Sequence, residues 1–351
     1  PSMIPLHLSL LVLRIALSLV LVIAMLWAAA AIWIDGPQSR ALAGTLAGGL
    51  VLSAVTSALL VRPWRRAALA VLLLFALVLG WWLMLAPSNE RDWQPDVAQL
   101  PTARVDGSLL TVRHVRKFDY HGEADFTEHW ETRTYDLDKL VGFDMFVSFW
   151  GPTLYGHTIA SWEFADGRHL AVSIETRKER DEVYSAVLGF FRQYELYYVV
   201  GDERDLIGLR TNHRGESVQL YRIGGNVSNG RRLLLDYVKK INALAEQPRW
   251  YNALTHNCTT SIWRHARAVG SAPRLDWRLL ANGYLVDLAY EQGTVNTDMP
   301  LDALKRRSRA GMGPCQGRYC ARSLARLVSE ASATDEGAGG SFTAQNPVKP
   351  V

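Results

Sequence analysis

Apolar and polar positions follow one pattern before residue 87 and another after it. Three uninterrupted apolar runs without a charged side chain occupy residues 15–34, 41–61 and 67–86. Each run has the ~20 residues that a helix needs to cross the hydrocarbon core of a bilayer. Residues 1–87 are therefore predicted to form three transmembrane helices. Because these runs contain no ionisable side chain, we expect them to act as an anchor and not as an ion path.

The few charges in this block predict its orientation in the membrane. Residues 1–87 contain five arginines, no lysine and a single acid, Asp35. Arg14 precedes the first run, and three more arginines lie between the second and third runs. Cytoplasmic loops of membrane proteins are enriched in Arg and Lys, so the N-terminus is expected in the cytoplasm. Everything after Pro87 is then expected on the opposite side of the membrane.

After residue 87 the apolar positions come in short segments that predict an α+β arrangement. Strands are predicted near residues 109–115, 132–135, 144–149, 155–164, 168–175, 194–200 and 217–223. Helices are predicted near residues 228–245, 257–270, 277–292 and 301–307. The chain is thus predicted to contain a membrane anchor at 1–87, a domain at 88–330 and a disordered tail at 331–351. A polar linker at 87–97 is predicted to join the anchor to the domain. In the domain we expect an antiparallel sheet packed on helices.

A β-hairpin is the clearest local prediction in the outer domain. Residues 155–164 and 168–175 flank a three-residue loop that ends on Gly167, which matches a type I turn closed by a bulge. This register places His157 directly opposite Glu175 on one face of the sheet. A slip of one residue would put the two side chains on opposite faces, so the pairing depends on the turn.

The outer part of the chain is electrically balanced. Of the 38 basic and 34 acidic residues, 33 of each kind lie after residue 87, so the net charge of +4 belongs to the anchor. A nucleic-acid-binding domain is expected to present a basic surface. The sequence therefore predicts no nucleic-acid partner.

The chain has three cysteines, which suggest one disulfide and one free thiol. Cys315 and Cys320 are separated by four residues and are candidates for a short-loop disulfide in an oxidising compartment. Cys258 is then left unpaired. Neither a Cys-x-x-Cys nor a His-Glu-x-x-His spacing occurs, so the sequence predicts no metal site and no other cofactor.

Cys258 has the sequence context of a reactive thiol. Asn257 is a favoured N-cap residue, which would place Cys258 and Thr259 in the first turn of a helix. The unpaired amides and the dipole at that end favour a thiolate over a thiol. The same amides are candidates for binding an oxyanion. The alternative is that Cys258 is a small, inert core residue.

Among the histidines, His157 is the best candidate base for this thiol. His256 is only two residues away across a helix cap, where side chains diverge. His265 lies about 10 Å further along the helix axis. His157 faces Glu175 in the predicted hairpin, and a carboxylate there would orient the imidazole and stabilise its charged form. Ser173, one alternation before Glu175, is a supporting candidate.

These residues and their order resemble a known family. A histidine on one strand, an acid on the next and Asn-Cys at a helix start resemble circularly permuted papain-like domains, including NlpC-type hydrolases and the lecithin:retinol acyltransferase group. More closely, the motifs Gly156-His157-Thr158, Ser173-Ile174-Glu175 and His256-Asn257-Cys258-Thr259-Thr260 look like the Lnb N-terminal periplasmic domain family. The resemblance covers roughly residues 88–280.

The resemblance implies a function at a bacterial inner membrane. The family takes its name from a lipoprotein N-acyltransferase, whose membrane spans follow the catalytic domain, whereas here they precede it. If the matching residues have the same roles as in the family, Cys258 would be the nucleophile, His157 the base and Glu175 the orienting acid of a periplasmic domain. An acyl chain would pass from a phospholipid, through a thioester, to an amine such as a lipoprotein N-terminus.

Two other functions remain open at this point. A membrane-tethered cysteine peptidase or amidase of the cell envelope would use the same three side chains. A non-catalytic binding module of the envelope would carry Cys258 as an inert residue. An apolar groove beside Cys258 would favour the acyltransferase.

Overall fold

The computed structural model describes most of the chain before residue 293, namely residues 4–151, 154–224, 226–270, 272, 274–279 and 281–292. Cys315, Cys320, the helix predicted at 301–307 and the tail predicted at 331–351 lie outside these residues. The chain divides into two compact units. Unit 1 comprises residues 1–91, 182–195 and 249–253, and the described part of unit 2 comprises residues 92–181, 196–248 and those from 254 onward.

Unit 1 contains the three predicted apolar helices, α1 (Ile4–Asp35), α2 (Arg40–Leu60) and α3 (Trp64–Met84). Each is long and apolar enough to cross a membrane, with a mean hydropathy of 2.7, 1.7 and 2.5 in turn. Large apolar side chains remain exposed on all three, as Leu60 at 75% and Leu77 at 72% illustrate. Helices that are apolar all round need an apolar solvent, so the prediction of three membrane helices is confirmed by length and composition.

Asp35, the single acid of the anchor, holds a later segment of the chain against the end of α1. Its carboxylate accepts hydrogen bonds from Trp82 Nε1 at 2.6 Å, Arg192 N at 3.2 Å and Gln193 Nε2 at 2.9 Å. A second carboxylate of this unit, Glu195, pairs with Arg91 at 3.1 Å. Unit 1 is therefore more than a helical anchor, because residues 182–195 belong to its packing.

Unit 2 is built on a sheet of eight strands. The described residues contain ten strands: β1 (Thr102–Asp106), β2 (Leu109–Arg116), β3 (Asp119–Tyr120), β4 (Phe126–Thr127), β5 (Trp130–Asp136), β6 (Leu140–Phe149), β7 (His157–Phe164), β8 (His169–Arg177), β9 (Glu195–Gly201) and β10 (Ser217–Arg222). The sheet has the order β1-β2-β9-β8-β7-β6-β10, with β5 also paired to β2, and β3 pairs separately with β4.

The sheet is mixed, whereas an antiparallel sheet was predicted. Antiparallel pairs join β1 to β2, β2 to β5, β6 to β7, β7 to β8 and β6 to β10. A parallel bridge joins Arg116 of β2 to Gly201 of β9. Strands so distant in sequence are joined by a long crossover and not by a hairpin, and a crossover permits parallel pairing.

The hairpin β7–β8 has the predicted register. Ile159 pairs with Ser173, which extrapolates to His157 opposite Glu175. Phe164 N donates to Arg168 O at 2.9 Å, and Gly167 adopts a φ of +80°, as a bulge-closed turn requires.

Helices and loops cover both faces of this sheet. The helices after the anchor are α4 (Glu203–Gly208), α5 (Val227–Glu246), α6 (Cys258–Ala268) and α7 (Leu285–Glu291). On one face, Trp162 of β7 donates from Nε1 to Gly230 O of α5 at 2.9 Å and stacks edge-on against Tyr237. On the other face, Ile159 packs in a core that includes Trp93 and Val97. These two are 6% and 2% exposed, so part of the predicted linker belongs to the core.

Two local predictions are wrong. The helix predicted at 277–292 is interrupted, with short 3-10 turns at Trp277–Leu279 and Asn282–Tyr284 before α7. Asn282 and Gly283 are poor helix formers, and an interruption at this point agrees with their propensity. No helix was predicted between the strands at 194–200 and 217–223, where the chain forms α4 and a π-helical turn at Leu209–His213.

The turn at Gly167 provides a test of the hairpin. Gly167→Ala forces a Cβ into a positive φ, so we expect a loss of about 1 kcal/mol or more in the free energy of unfolding. For a domain of this size, the midpoint of thermal unfolding should fall by about 2–4 °C. Gly122→Ala is the matched control, because an added Cβ there meets its nearest atom at 3.7 Å, an ordinary contact. Equal midpoints for the two variants in detergent would contradict the turn assignment.

Candidate functional site

Cys258 begins helix α6 at the position predicted for it. Asn257 Oδ1 accepts a hydrogen bond from Thr260 N at 2.8 Å, and Thr260 Oγ1 accepts one from Asn257 N at 3.1 Å. This reciprocal capping box fixes the start of the helix. The thiol lies where backbone amides lack helical partners, and the residue is only 7% exposed.

His157 begins strand β7 and lies beside the thiol. Its Nε2 is 2.7 Å from Ser173 Oγ and 3.1 Å from Glu175 Oε1. Ser173 Oγ in turn donates to Glu175 Oε1 at 2.7 Å. The His157 side chain also hydrogen-bonds the Cys258 thiol, and this contact affects the pKa of both side chains. The structure thus brings Cys258, His157, Ser173 and Glu175 together.

The charges of this cluster favour a thiolate–imidazolium pair. Burial opposes the charged form of His157, but the Glu175 carboxylate outweighs burial and raises the pKa of His157 to about 9. Burial likewise opposes the thiolate. The positive charge of His157 and the hydrogen bonds from the His157 side chain and the Thr158 backbone together outweigh this effect, so the pKa of Cys258 falls to about 7. Between pH 7 and 9 the proton therefore resides on the imidazole and the sulfur is negative.

Glu175 remains ionised in this environment. Burial favours its neutral form, but the neighbouring His157 and Arg210 charges hold the pKa of Glu175 well below its usual range. A carboxylate that stays charged can stabilise the imidazolium throughout the neutral range.

Residues 126–283 match the family model of the Lnb N-terminal periplasmic domain. This segment is similar to the Lnb domain. The match confirms the family predicted from the sequence, and it contains every residue of the cluster. Searches of curated proteins and of solved structures give no significant match. The predicted likeness to papain-like enzymes therefore stays a prediction. The three apolar helices and the match to a periplasmic domain family fit a membrane protein with a periplasmic domain.

Arg210 lies in the matched segment and was not predicted from the sequence. From the π-helical turn, its guanidinium contacts Glu175 Oε1 at 2.9 Å and Glu216 Oε2 at 2.9 Å. Glu216 also accepts a hydrogen bond from Ser148, the residue paired with His157 across β6 and β7. Arg210 therefore fixes the carboxylate that faces His157. No local pattern in the sequence signalled this role, because it depends on the unpredicted turn.

Asn282 is the second missed residue, and it ties the two halves of the site together. Its side chain accepts from Gly156 N at 2.9 Å and donates to Gly156 O at 2.5 Å, beside His157. It also donates to Thr259 Oγ1 at 2.8 Å, beside Cys258. The amide thus links the start of β7 to the start of α6. Its place in a segment predicted to be helical concealed it.

The remaining histidines near Cys258 have other partners. His265 is 2.8 Å from Tyr198 Oη and 2.7 Å from Asp236 Oδ2, inside the core. His256 Nδ1 is 2.9 Å from Thr255 Oγ1. Neither takes the place of His157 beside the thiol.

One further group of side chains has the composition of a metal site. Asp144, Glu163 and His169 bring their ligand atoms within 4.8 Å of one another. Arg222, however, forms ion pairs with both carboxylates, with Arg222 Nε 2.7 Å from Asp144 Oδ1. A guanidinium thus already neutralises these acids, and the residues do not fit a divalent cation.

The thiol pKa provides a direct test of the cluster. The rate of Cys258 alkylation by iodoacetamide should rise with pH around a midpoint near 7, where the thiolate forms. In His157→Ala the stabilising charge is lost while burial remains, so the midpoint should move above the usual value of about 8.5. Mass spectrometry of the Cys258 peptide separates this reaction from those of the other cysteines. A wild-type midpoint equal to that of His157→Ala would contradict the ion pair.

Proposed function

We propose that this domain is a thiol acyltransferase that moves an acyl chain from a phospholipid to an amine acceptor, such as a lipoprotein N-terminus. The observation that supports it best is the buried pairing of Cys258 with His157 and Glu175 at a helix start. A nucleophile, a base that touches it and an acid that orients the base form the arrangement used in covalent acyl transfer. The apolar helices favour a donor that resides in the bilayer, because tethering supplies proximity.

In the first half-reaction the Cys258 thiolate attacks the carbonyl carbon of a phospholipid ester. A C–S bond forms, and the oxyanion binds backbone amides at the start of α6. The ester C–O bond then breaks, and the His157 imidazolium gives its proton to the leaving alkoxide. The products are an acyl-thioester on Cys258, a neutral imidazole and a lysophospholipid.

In the second half-reaction the amine of the acceptor attacks the thioester carbonyl. A C–N bond forms and the C–S bond breaks, while neutral His157 accepts the proton of the amine. The product is an amide, and the thiolate–imidazolium pair is regenerated for the next cycle. No proton or electron is gained or lost overall.

The burial of the pair favours transfer over hydrolysis. Cys258 and His157 are each only 7% exposed, so little water surrounds the thioester while it waits for an amine. A cysteine peptidase or amidase must instead admit water to the same carbon. Exclusion of water is therefore the property that separates the two activities.

Substitutions of the pair test the proposal. Cys258→Ser and His157→Ala should each lower transfer by at least about 10²–10⁴-fold, because each removes a group that acts in both half-reactions. The assay uses the full chain in phospholipid vesicles with a diacylglyceryl peptide. An acyl adduct on Cys258 that hydroxylamine removes should accumulate when the peptide is omitted. His129→Ala, an exposed histidine on another part of the domain, is the matched control. Undiminished transfer by either variant would refute the mechanism, and release of free fatty acid without peptide acylation would indicate a hydrolase.

Glu175→Gln tests the role of the charge apart from shape. Glutamine retains the size of the side chain but removes the carboxylate that raises the pKa of His157. The pKa of His157 should therefore fall and that of Cys258 rise, so the acidic limb of the rate–pH profile moves to higher pH. At pH 7 we expect a smaller loss than for His157→Ala. An unchanged profile would assign the orienting role to Ser173.

A further inference from the structure

An apolar cavity of about 380 Å³ lies between the sheet and helix α6 within unit 2. Its floor includes Phe143 and Met145 of β6 and Ala160 of β7, and one wall is the first part of α5. We call it the α6 cavity. Its volume falls within the range of about 300–1,000 Å³ that small-molecule sites occupy.

The α6 cavity begins next to the candidate nucleophile. Four residues of one α6 face line it at a helical spacing of three and four, together with the C-cap residue Val269: Thr259, Ile262, Trp263 and Ala266. Thr259 adjoins Cys258, and its Oγ1 lies 3.7 Å from the Cys258 sulfur. From Thr259 to Val269 the helix axis advances about 15 Å. A chain attached to the sulfur could therefore follow the helix from end to end of the cavity.

The lining suits an alkyl chain better than a peptide or sugar. Leu233, Leu279 and Leu285 close the cavity together with the α6 face, and all three are less than 9% exposed. Among the described lining residues, Arg222 is the one that carries a charge, and it is paired with Asp144 and Glu163. The side chains of Asn226 and Asn229 also belong to the lining, and they accept hydrogen bonds from Ser228 N and Arg232. The polar cluster of His157, Ser173 and Glu175 does not line it. A polar ligand would find few partners in this cavity, whereas methylene groups would be removed from water.

We propose that the α6 cavity binds the acyl chain of the thioester formed on Cys258 and selects its length. This inference rests on the proposed function, since it needs Cys258 to become acylated. The chain would lie against α6, with its carbonyl carbon at the helix start and its methyl end towards Val269. Side chains along α6 then determine which chain lengths are accepted.

Two alanines on α6 allow a matched test. Ala266 lines the cavity, whereas Ala268, on the same helix, is exposed and does not. The probes are p-nitrophenyl esters with acyl chains of two, eight, twelve and sixteen carbons, mixed with the full chain in detergent. The readout is the burst of p-nitrophenol that acylation of Cys258 releases, corrected by the Cys258→Ser background. For each variant we take the ratio of the twelve-carbon rate to the two-carbon rate.

Ala266→Phe should lower this ratio at least tenfold, because the ring occupies the path of the chain. Ala268→Phe should leave the ratio at the wild-type value. Val269→Phe, further from the sulfur, should reduce the sixteen-carbon rate more than the eight-carbon rate. A wild-type ratio in Ala266→Phe would overturn the cavity assignment while leaving acylation of Cys258 intact. Absence of a burst with every ester would instead refute the proposed function itself.

An enlarging variant covers the case in which Ala266→Phe does not fold. Ile262→Ala removes side-chain volume from the same wall and should raise the ratio of the sixteen-carbon to the two-carbon rate. An unchanged ratio in Ile262→Ala would equally overturn the assignment of the cavity to the acyl chain.

Discussion

The arrangement of the candidate site in unit 2 depends on the interaction between the Cys258 thiol and the His157 imidazole. The two side chains come from the first residue of α6 and the first residue of β7. Both side chains are buried, and burial disfavours an isolated charge. Because the thiolate and the imidazolium carry opposite charges, each stabilises the charged form of the other. The capping box at Asn257 fixes one partner, and the hairpin register fixes the other. Asn282 then links the two elements through Gly156 and Thr259.

The sheet separates a charged environment from an apolar one, and the proposed acyl transfer would need both. His157, Ser173 and Glu175 share one face of the β7–β8 hairpin, where Arg210 balances the carboxylate. Ala160 and Met145 point to the opposite face and line the α6 cavity. Alternation along a strand therefore keeps the charges away from the apolar cavity. The Cys258 sulfur lies near both environments. It interacts with His157 of the charged cluster, and it is 3.7 Å from Oγ1 of Thr259, which lines the α6 cavity.

Local sequence patterns predicted a large part of this structure. Three charge-free runs predicted α1, α2 and α3, since the length of a membrane helix is fixed by bilayer thickness. Gly167 predicted the hairpin turn, and Asn257 predicted the start of α6, because both act through their immediate neighbours. The motifs around His157, Glu175 and Cys258 were enough to indicate the Lnb family. The roles of these three residues in catalysis stay predictions.

The sequence by itself determined the membrane helices, the hairpin register and the helix start, because each follows from one continuous stretch of about 20 residues or fewer. Only the tertiary structure decided which side chains surround the pair. Arg210 reaches the site from a segment in which no helix was predicted. Asn282 reaches it from a segment that was predicted to be an unbroken helix. The parallel bridge between β2 and β9, and the cavity along α6, likewise require packing between elements far apart in the chain. Contacts of this kind arise from burial and complementary charge across the whole domain, and no short stretch of sequence encodes them.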